Sequence, residues 1–208
     1  EGKSSVDRYY AIGLTYANGP LNLAAVVDQT NFSTTKWNGV DWGNPVDDAL
    51  TVTVGGNYDF QVVKLYAGAQ YFDNADLNSI DNIFSKDFAL SPAQTERFQV
   101  KGYGLTIGAD IPAAGGTFKV ATSYLDGTID KVNGWDMATA IGATFGEIDI
   151  SRWNTSAGYL YSLSKRTSLY GVASYSYQTV KGQKDFNGYS LDVAPTVIEV
   201  AAGIVHKF

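Results

Sequence analysis

The feature that most constrains this chain is a repeated alternation of apolar and polar residues. Alternation with a period of two predicts β-strands, because successive side chains of a strand point to opposite faces. Nine segments of about 10 to 12 residues carry the pattern: 8–17, 21–30, 49–58, 61–72, 99–110, 117–126, 151–162, 167–178 and 197–208. The sequence therefore predicts an all-β fold over a single unit, residues 1–208.

The length of these segments separates two kinds of β-protein. Strands of globular proteins cluster near 5–6 residues, whereas a tilted strand needs about 9–11 residues to cross a bilayer. The sequence has no run of 18 apolar residues that would predict a transmembrane helix. The segments therefore favour a transmembrane antiparallel β-barrel over a soluble sandwich.

The connections between the segments alternate in length. Short connections are expected at 18–20, 59–60, 111–116 and 163–166, and long ones at 31–48, 73–98, 127–150 and 179–196. Outer-membrane barrels have short periplasmic turns and long external loops. A helical pattern at 135–144 falls inside a long connection, and a tenth strand at 136–145 is an alternative reading of that stretch.

The two faces of each segment differ in chemistry. On the first segment, Tyr10, Ile12, Leu14 and Tyr16 share one face, and small or polar residues occupy the other. The same apolar parity continues through Leu21, Leu23, Ala25 and Val27, then Leu50, Val52 and Val54, then Val63, Leu65, Ala67, Ala69 and Tyr71. A Lys or Arg at mid-bilayer costs about 2–4 kcal/mol, so the uncharged apolar face is predicted to meet lipid and the other face water.

Aromatic residues concentrate at both ends of the segments. Near the short connections stand Tyr16, Tyr58, Phe60, Phe118, Tyr161 and Phe208; near the long ones stand Tyr10, Tyr71, Tyr103, Tyr124, Trp153, Tyr175 and Tyr177. Aromatic side chains are enriched where a membrane meets water. The distribution predicts two aromatic girdles.

Residues on the side of each segment that is predicted to face water are candidate pore-lining residues. They are Asp28, Lys64, Tyr66, Asp110, Lys119, Arg152, Glu199 and Lys207. Asp28, Arg152 and Glu199 are expected toward the outer mouth, and the other charged residues toward the inner mouth. Mid-height positions are uncharged, so no ring of charge of the kind that selects ions is predicted, and each charge reads as a solvated wall residue.

Several function classes are disfavoured. The chain has no Cys and a net charge of −6, which argues against a Cys-based zinc site and against nucleic-acid binding. It contains no GxSxG, GxxxxGK[ST] or HExxH motif, and its single His206 falls on the apolar parity, so no enzyme activity and no cofactor are expected. The acidic long connections could hold Ca²⁺ or Mg²⁺ against lipopolysaccharide, but without a calcium-loop motif a solvated rim is favoured and no metal site is predicted.

Four segments of the sequence resemble a known protein family. VDRYYAIGLTYANGPLNLAA, GGNYDFQVVKLYAGAQY, YLYSLSKRTSLYG and GIVHKF resemble segments of the general porins of β-proteobacteria. The resemblance implies a 16-stranded barrel, a homotrimer, contact with outer-membrane lipid and lipopolysaccharide, and passive diffusion of ions and small hydrophilic solutes across the bacterial outer membrane. It also implies that Phe208 is an assembly signal. Val205 replaces the Arg of the family's terminal GIRH pattern.

The odd number of segments has a consequence for closure. Single-chain bacterial barrels have an even number of strands, and an open sheet edge is costly in lipid. We therefore expect the chain to supply nine C-terminal strands. About seven N-terminal strands and the constriction loop would come from a missing segment or a second chain. Segments 8–17 and 197–208 are expected to pair with those strands and not with each other.

Two other readings stay open on the sequence. One is a structural or adhesive outer-membrane barrel whose long loops bind a partner. The other is a soluble β-sandwich that binds carbohydrate through its Tyr and Trp residues.

Overall fold

The computed structural model describes residues 8–31, 36–37, 40–41, 47–76, 98–132, 135–136, 147–182 and 192–207. Numbered in chain order, the strands are β1 (Arg8–Asn18), β2 (Leu21–Asn31), β3 (Lys36–Trp37), β4 (Val40–Asp41), β5 (Ala49–Asp59), β6 (Lys64–Asp76), β7 (Phe98–Ala113), β8 (Gly116–Val132), β9 (Trp135–Asp136), β10 (Ile148–Ser162), β11 (Thr167–Gly182), β12 (Asp192–Val193) and β13 (Thr196–His206). Nine of these strands are long, and all nine predicted segments are confirmed. None of the described residues forms a helix that is long and apolar enough to cross a membrane.

The nine long strands form one antiparallel sheet in which chain neighbours are also sheet neighbours. The order is β1-β2-β5-β6-β7-β8-β10-β11, and β13 pairs with β11 beside the short β12. The short β9 pairs with β8, and β3 with β4 form a separate hairpin. This meander brings all the short turns to one end of the sheet and all the long connections to the other.

The bounds of several strands differ from the predicted ones. β8 runs from Gly116 to Val132, well beyond the predicted 117–126, and β11 continues to Gly182. The connection predicted at 111–116 shrinks to Ala114 and Gly115, which both have positive φ angles (50° and 80°). Positive φ at both central residues is the geometry of a tight two-residue hairpin turn, so the ladder can continue almost to the turn.

The turn between β5 and β6 is longer than predicted. Phe60 donates its backbone N–H to the carbonyl of Val63 (2.9 Å), and Gln61 adopts a φ of 71°. β6 therefore begins at Lys64 and not at residue 61.

The pairing register confirms the two faces predicted from parity. One ladder row carries apolar residues across five strands: Leu14, Ala25, Val54, Ala69 and Leu105. The adjacent row, on the opposite face, carries Thr15, Ala24, Gly55, Gly68 and Thr106. We call these sides the apolar face and the polar face. On the apolar face Leu14 is 76% exposed and Val200 is 78% exposed, so these side chains have no covering layer within the described residues.

The polar face is not polar throughout, which the sequence reading did not anticipate. At the long-connection end it carries a buried apolar cluster: Phe72, Ala75, Val100, Ile129, Ile148, Ile150 and Val180. Ile129, Ile148 and Ile150 fell in a predicted loop, and the extended ladders of β8 and β10 bring them together. The prediction of a small, polar inner face is therefore wrong at this end.

A β-bulge places one member of this cluster. Phe72 pairs with Gly102 and Ala75 pairs with Val100, so Asp73 and Asn74 together oppose Lys101. Asn74 has a φ of 55°, a left-handed conformation that Asn tolerates better than most residues. The extra residue shifts the parity of β6, and Ala75 joins Phe72 on the polar face.

The two outer strands of the sheet have open edges. Within the described residues, β1 pairs only with β2, and the long strand β13 pairs only with β11. Both strands run from the long-connection end toward the short-turn end, because an odd number of antiparallel strands separates them. No ladder joins β1 to β13 in the described part of the chain. Pairing of these edges with strands outside this sequence stays a prediction.

Candidate functional site on the polar face

The pairing of β6, β7 and β8 brings together four of the eight candidate pore-lining residues. Lys64 of β6 pairs with Asp110 of β7, and Asp110 pairs with Lys119 of β8. Tyr66 lies two residues beyond Lys64 on the same face, because side chains on a strand alternate. We call Lys64, Tyr66, Asp110 and Lys119 the Asp110 cluster.

Asp110 is the common acceptor of this cluster. Its Oδ2 accepts hydrogen bonds from the Tyr66 hydroxyl (3.0 Å) and from the Lys119 ammonium (2.5 Å). The Lys119 side chain is 48% exposed and the Asp110 side chain 22% exposed. A solvated ion pair of this kind contributes about 0–1 kcal/mol to stability. Its larger effect is on the distribution of charge along the polar face.

A carboxylate beside the cluster was missed by the sequence reading. Asp59 is the β5 partner of Lys64, and its Oδ1 accepts the backbone N–H of Gln61 at 2.7 Å. Asp59 falls within the short connection predicted at 59–60. The signal that was available is an Asp two residues before a sharp bend, where its side chain commonly caps the turn.

The other four candidate residues lie on the polar face or at its end, away from the Asp110 cluster. Arg152 pairs with Leu125 and Gln178, and Asp28 pairs with Ala11 and Thr51, both toward the long connections.

Glu199 pairs with Ser174, whose hydroxyl donates to it at 3.4 Å. Paired residues on successive strands connect this position, through Ser156 and Ala121, to Tyr66. Lys207 follows β13, and its backbone N–H donates to the Arg166 carbonyl (2.8 Å).

Uncharged side chains on the same face join neighbouring strands through hydrogen bonds that the sequence did not predict. Asn22 donates to Asn57 (3.2 Å), Gln70 donates to Thr53 (3.0 Å), and Asn154 donates to Ser176 (2.6 Å). Each pair sits on strands that are adjacent in the sheet. Only the register identifies such partners, since their separation in sequence follows no motif.

Two grooves run along the polar face. One, of about 400 Å³, is lined among others by Tyr66, Asp110, Lys119, Ser156 and Tyr170. The second, of about 500 Å³, includes Thr53, Gln70, Gly104, Arg152 and Asn154. Polar groups that point into open grooves can be reached by water and by small hydrophilic molecules.

The apolar face carries aromatic rows at both ends, as predicted. At the long-connection end, ring centroids are 6.4 Å apart for Tyr103 and Tyr124, and 6.0 Å apart for Tyr124 and Trp153. The Tyr124 hydroxyl donates to Asp126 at 2.9 Å. At the short-turn end, the Tyr58 and Phe60 ring centroids are 4.5 Å apart. Amphipathic rings of this kind suit the boundary between a bilayer and water.

Two expectations about single residues have different outcomes. His206 lies at the short-turn end of β13, with its Nδ1 2.9 Å from the Thr167 hydroxyl. Phe208, the expected assembly signal, lies outside the described residues. Among the residues that the structure does describe, no group of three or more His, Asp or Glu side chains could hold a metal ion.

Comparison with known proteins gives consistent matches. The family described as Gram-negative porin matches residues 1–183. An outer membrane porin protein of Bordetella pertussis is 30% identical over 210 residues, an alignment that covers 100% of this chain and 48% of the relative. The solved structure of an anion-selective porin from Comamonas acidovorans is 23% identical, has a TM-score of 0.59, and is matched over 98% of this chain and 50% of its own.

The chain thus spans about half the length of each of these two relatives. At 23% identity the likeness to the solved structure shows the fold alone. The family match covers most of the chain, and it confirms the resemblance seen in the sequence. Together with the two-faced antiparallel sheet and its aromatic rows, it shows that the chain belongs to the Gram-negative porin family of the bacterial outer membrane.

Proposed function

We propose that this chain forms part of the wall of a passive, water-filled channel for ions and small hydrophilic solutes. The observation that carries the proposal is the two-faced sheet. Its apolar face is bounded by aromatic rows, and its polar face presents grooves lined by Tyr66, Thr106, Asp110, Lys119 and Arg152. Membership of a porin family favours a channel over an enzyme, and we propose no catalytic role for this face.

We propose that further strands complete the barrel. An unpaired backbone group in lipid costs several kcal/mol, so the free edges of β1 and β13 need partners. Because the two edge strands run in the same direction, an antiparallel sheet that links them must contain an odd number of strands. Seven additional N-terminal strands would give a 16-stranded barrel and would bring the constriction loop with them.

We also propose the assembly that such a barrel would adopt. The complete protein forms a homotrimer, contacts outer-membrane lipid and lipopolysaccharide, and uses Phe208 as its assembly signal. We propose that the eight candidate residues from the polar face line the pore: Asp28, Lys64, Tyr66, Asp110, Lys119, Arg152, Glu199 and Lys207.

Conductance of the purified full-length protein in planar bilayers tests the channel proposal. We expect stepwise insertion of open channels whose conductance rises with salt concentration. Liposomes that contain the protein should swell in small sugars and not in large dextrans. Folded protein that inserts but neither conducts nor admits sugars would contradict the proposal and would favour a structural or adhesive barrel.

A further inference from the structure

The Asp110 cluster contains two lysines that differ in their surroundings. Lys119 is paired with Asp110 at 2.5 Å. Lys64 pairs in register with two carboxylate residues, Asp59 on β5 and Asp110 on β7, so the sequence and topology alone would assign it an ion pair. The positions of the side chains show no such ion pair for Lys64 within the described residues.

Both carboxylates next to Lys64 are engaged elsewhere. Asp59 accepts the backbone N–H of Gln61 at 2.7 Å and so closes the turn between β5 and β6. Asp110 accepts from Tyr66 and from Lys119. Within the described residues, no carboxylate oxygen lies within 4.0 Å of the Lys64 ammonium.

The Lys64 ammonium is instead supported by an aromatic ring. It lies 5.5 Å from the centroid of the Tyr66 ring. A cation within about 6 Å of a ring centroid is attracted by the π-electrons of the ring without losing its charge. The hydrogen bond from the Tyr66 hydroxyl to Asp110 holds that ring against the wall.

Lys64 also borders open space. It lines a groove of about 590 Å³ at the short-turn end, together with Asn22, Asp59 and Gln61. Its neighbour Tyr66 lines the adjacent groove on the polar face. The ammonium is therefore placed where a small anion in the water of the groove at the short-turn end can approach it.

From this arrangement we propose that Lys64 is the anion-contacting residue of this wall, and that Asp110 with Tyr66 positions it. The Lys119–Asp110 pair acts as a neutral unit, so the two lysines contribute unequally to ion selectivity. The anion class is a small monovalent ion such as chloride or a short carboxylate. This inference rests on the proposed channel function and names the residue that sets charge preference at the short-turn end.

The test is ion selectivity of the full-length protein, measured as the reversal potential across a KCl gradient. K64Q should lower the anion-to-cation permeability ratio about two-fold near 0.1 M KCl, as expected for one charge lost several ångströms from the ion path. At 1 M KCl the effect of K64Q should shrink, because the Debye length falls from about 10 Å to about 3 Å.

K165Q is a matched control for the loss of charge. Lys165 is an exposed lysine in the turn between β10 and β11, at the same end of the sheet, and it is not on the polar face of a strand. K165Q should leave the ratio unchanged. Equal shifts for K64Q and K165Q, or a K64Q channel with the wild-type ratio, would overturn the assignment.

Chemical modification separates a change of charge from a change of fold. The 208-residue sequence contains no Cys. In a full-length protein without other Cys residues, K64C therefore provides a single thiol. On channels already inserted in the bilayer, a trimethylammonioethyl thiosulfonate reagent should restore the anion preference, and a sulfonatoethyl reagent should reverse it. Absence of any difference between the two reagents would refute the proposal. Absence of conductance in the wild-type protein would instead contradict the channel function itself.

Discussion

Gln99 and the backbone of Asp47 are joined by a pair of hydrogen bonds across 52 residues of sequence. The Gln99 amide donates to the Asp47 carbonyl at 2.6 Å, and its oxygen accepts the Asp47 backbone N–H at 3.1 Å. The same amide lies 3.4 Å from the Asn74 carbonyl in the β6 bulge. Gln99 is only 1% exposed, and its contacts link Asp47, just before β5, to β7 and to the β6 bulge.

Replacing Gln99 by Leu should therefore destabilise the long-connection end of the sheet. The change removes both hydrogen bonds between the Gln99 side chain and the Asp47 backbone, and a typical intramolecular hydrogen bond contributes about 0.5–1.5 kcal/mol. We expect faster amide hydrogen exchange at residues 47–49 and a lower unfolding midpoint in guanidinium. Gln70→Leu is the control, since Gln70 is exposed and makes one bond to Thr53 at 3.0 Å, and its effect should be smaller. Equal exchange in both variants would contradict the role of Gln99.

Adjacent residues on β7 allow a test of the two faces by size. Thr106 is on the polar face and Ile107 is on the apolar face, where it is 61% exposed. Thr106→Trp should reduce single-channel conductance of the full-length protein, because the indole ring occupies part of the water-filled path. Ile107→Trp should leave conductance unchanged, since the added ring meets lipid. The reverse pattern would contradict the assignment of the faces.

Spin labels report the environment of the apolar face directly. Leu14, Val52 and Leu65 share this face by register, and Thr53 lies on the other. In reconstituted protein, labels at the first three positions should be broadened by oxygen, which is soluble in lipid, and not by a water-soluble relaxer. A label at Thr53 should respond mainly to the water-soluble relaxer. Two of the three apolar labels behaving like Thr53 would show that the register in the membrane differs.

Two glycines of β7 should differ in their tolerance of a methyl group. A Cβ at Gly102 would lie 2.1 Å from the Asp126 carbonyl oxygen and 2.6 Å from the Gly127 Cα, which are backbone atoms that cannot rotate away. At Gly104 the nearest atom would be 3.9 Å away. Gly102→Ala should thus cost about 1–3 kcal/mol, the usual penalty for overpacking. Gly104→Ala should be nearly neutral. Guanidinium unfolding of the two variants in matched detergent compares them, and equal stability would be inconsistent with the close approach of β7 and β8.

Removal of Phe208 should impair assembly more than conduction. The family resemblance, which implies an assembly role for Phe208, motivates this expectation. We expect unfolded protein to accumulate in the periplasm, while channels that do insert conduct as the wild type does. Cell fractionation measures the first outcome, and single-channel recording measures the second. Normal insertion of a chain without Phe208 would rule out the assembly role.

The sequence by itself determined the nine long strands and, over most of their length, which side chains share a face. Alternation over 10 or more residues is a strong signal, because every second side chain must meet the same surroundings. Parity also selected Lys64, Tyr66, Asp110 and Lys119 for the polar face before their register was known. The aromatic rows followed from the same parity.

Only the tertiary structure decided which of these side chains act together. The bulge at Asp73 and Asn74 breaks the period of two, so parity could not place Ala75 on the polar face. The buried cluster around Ile129 and Val180 depends on ladders that continue into segments without alternation. The Asp110 carboxylate accepts a hydrogen bond from Lys119, whereas the Lys64 ammonium lies over the Tyr66 ring. Distances between side chains on neighbouring strands decide such contacts, and no spacing in the sequence encodes them.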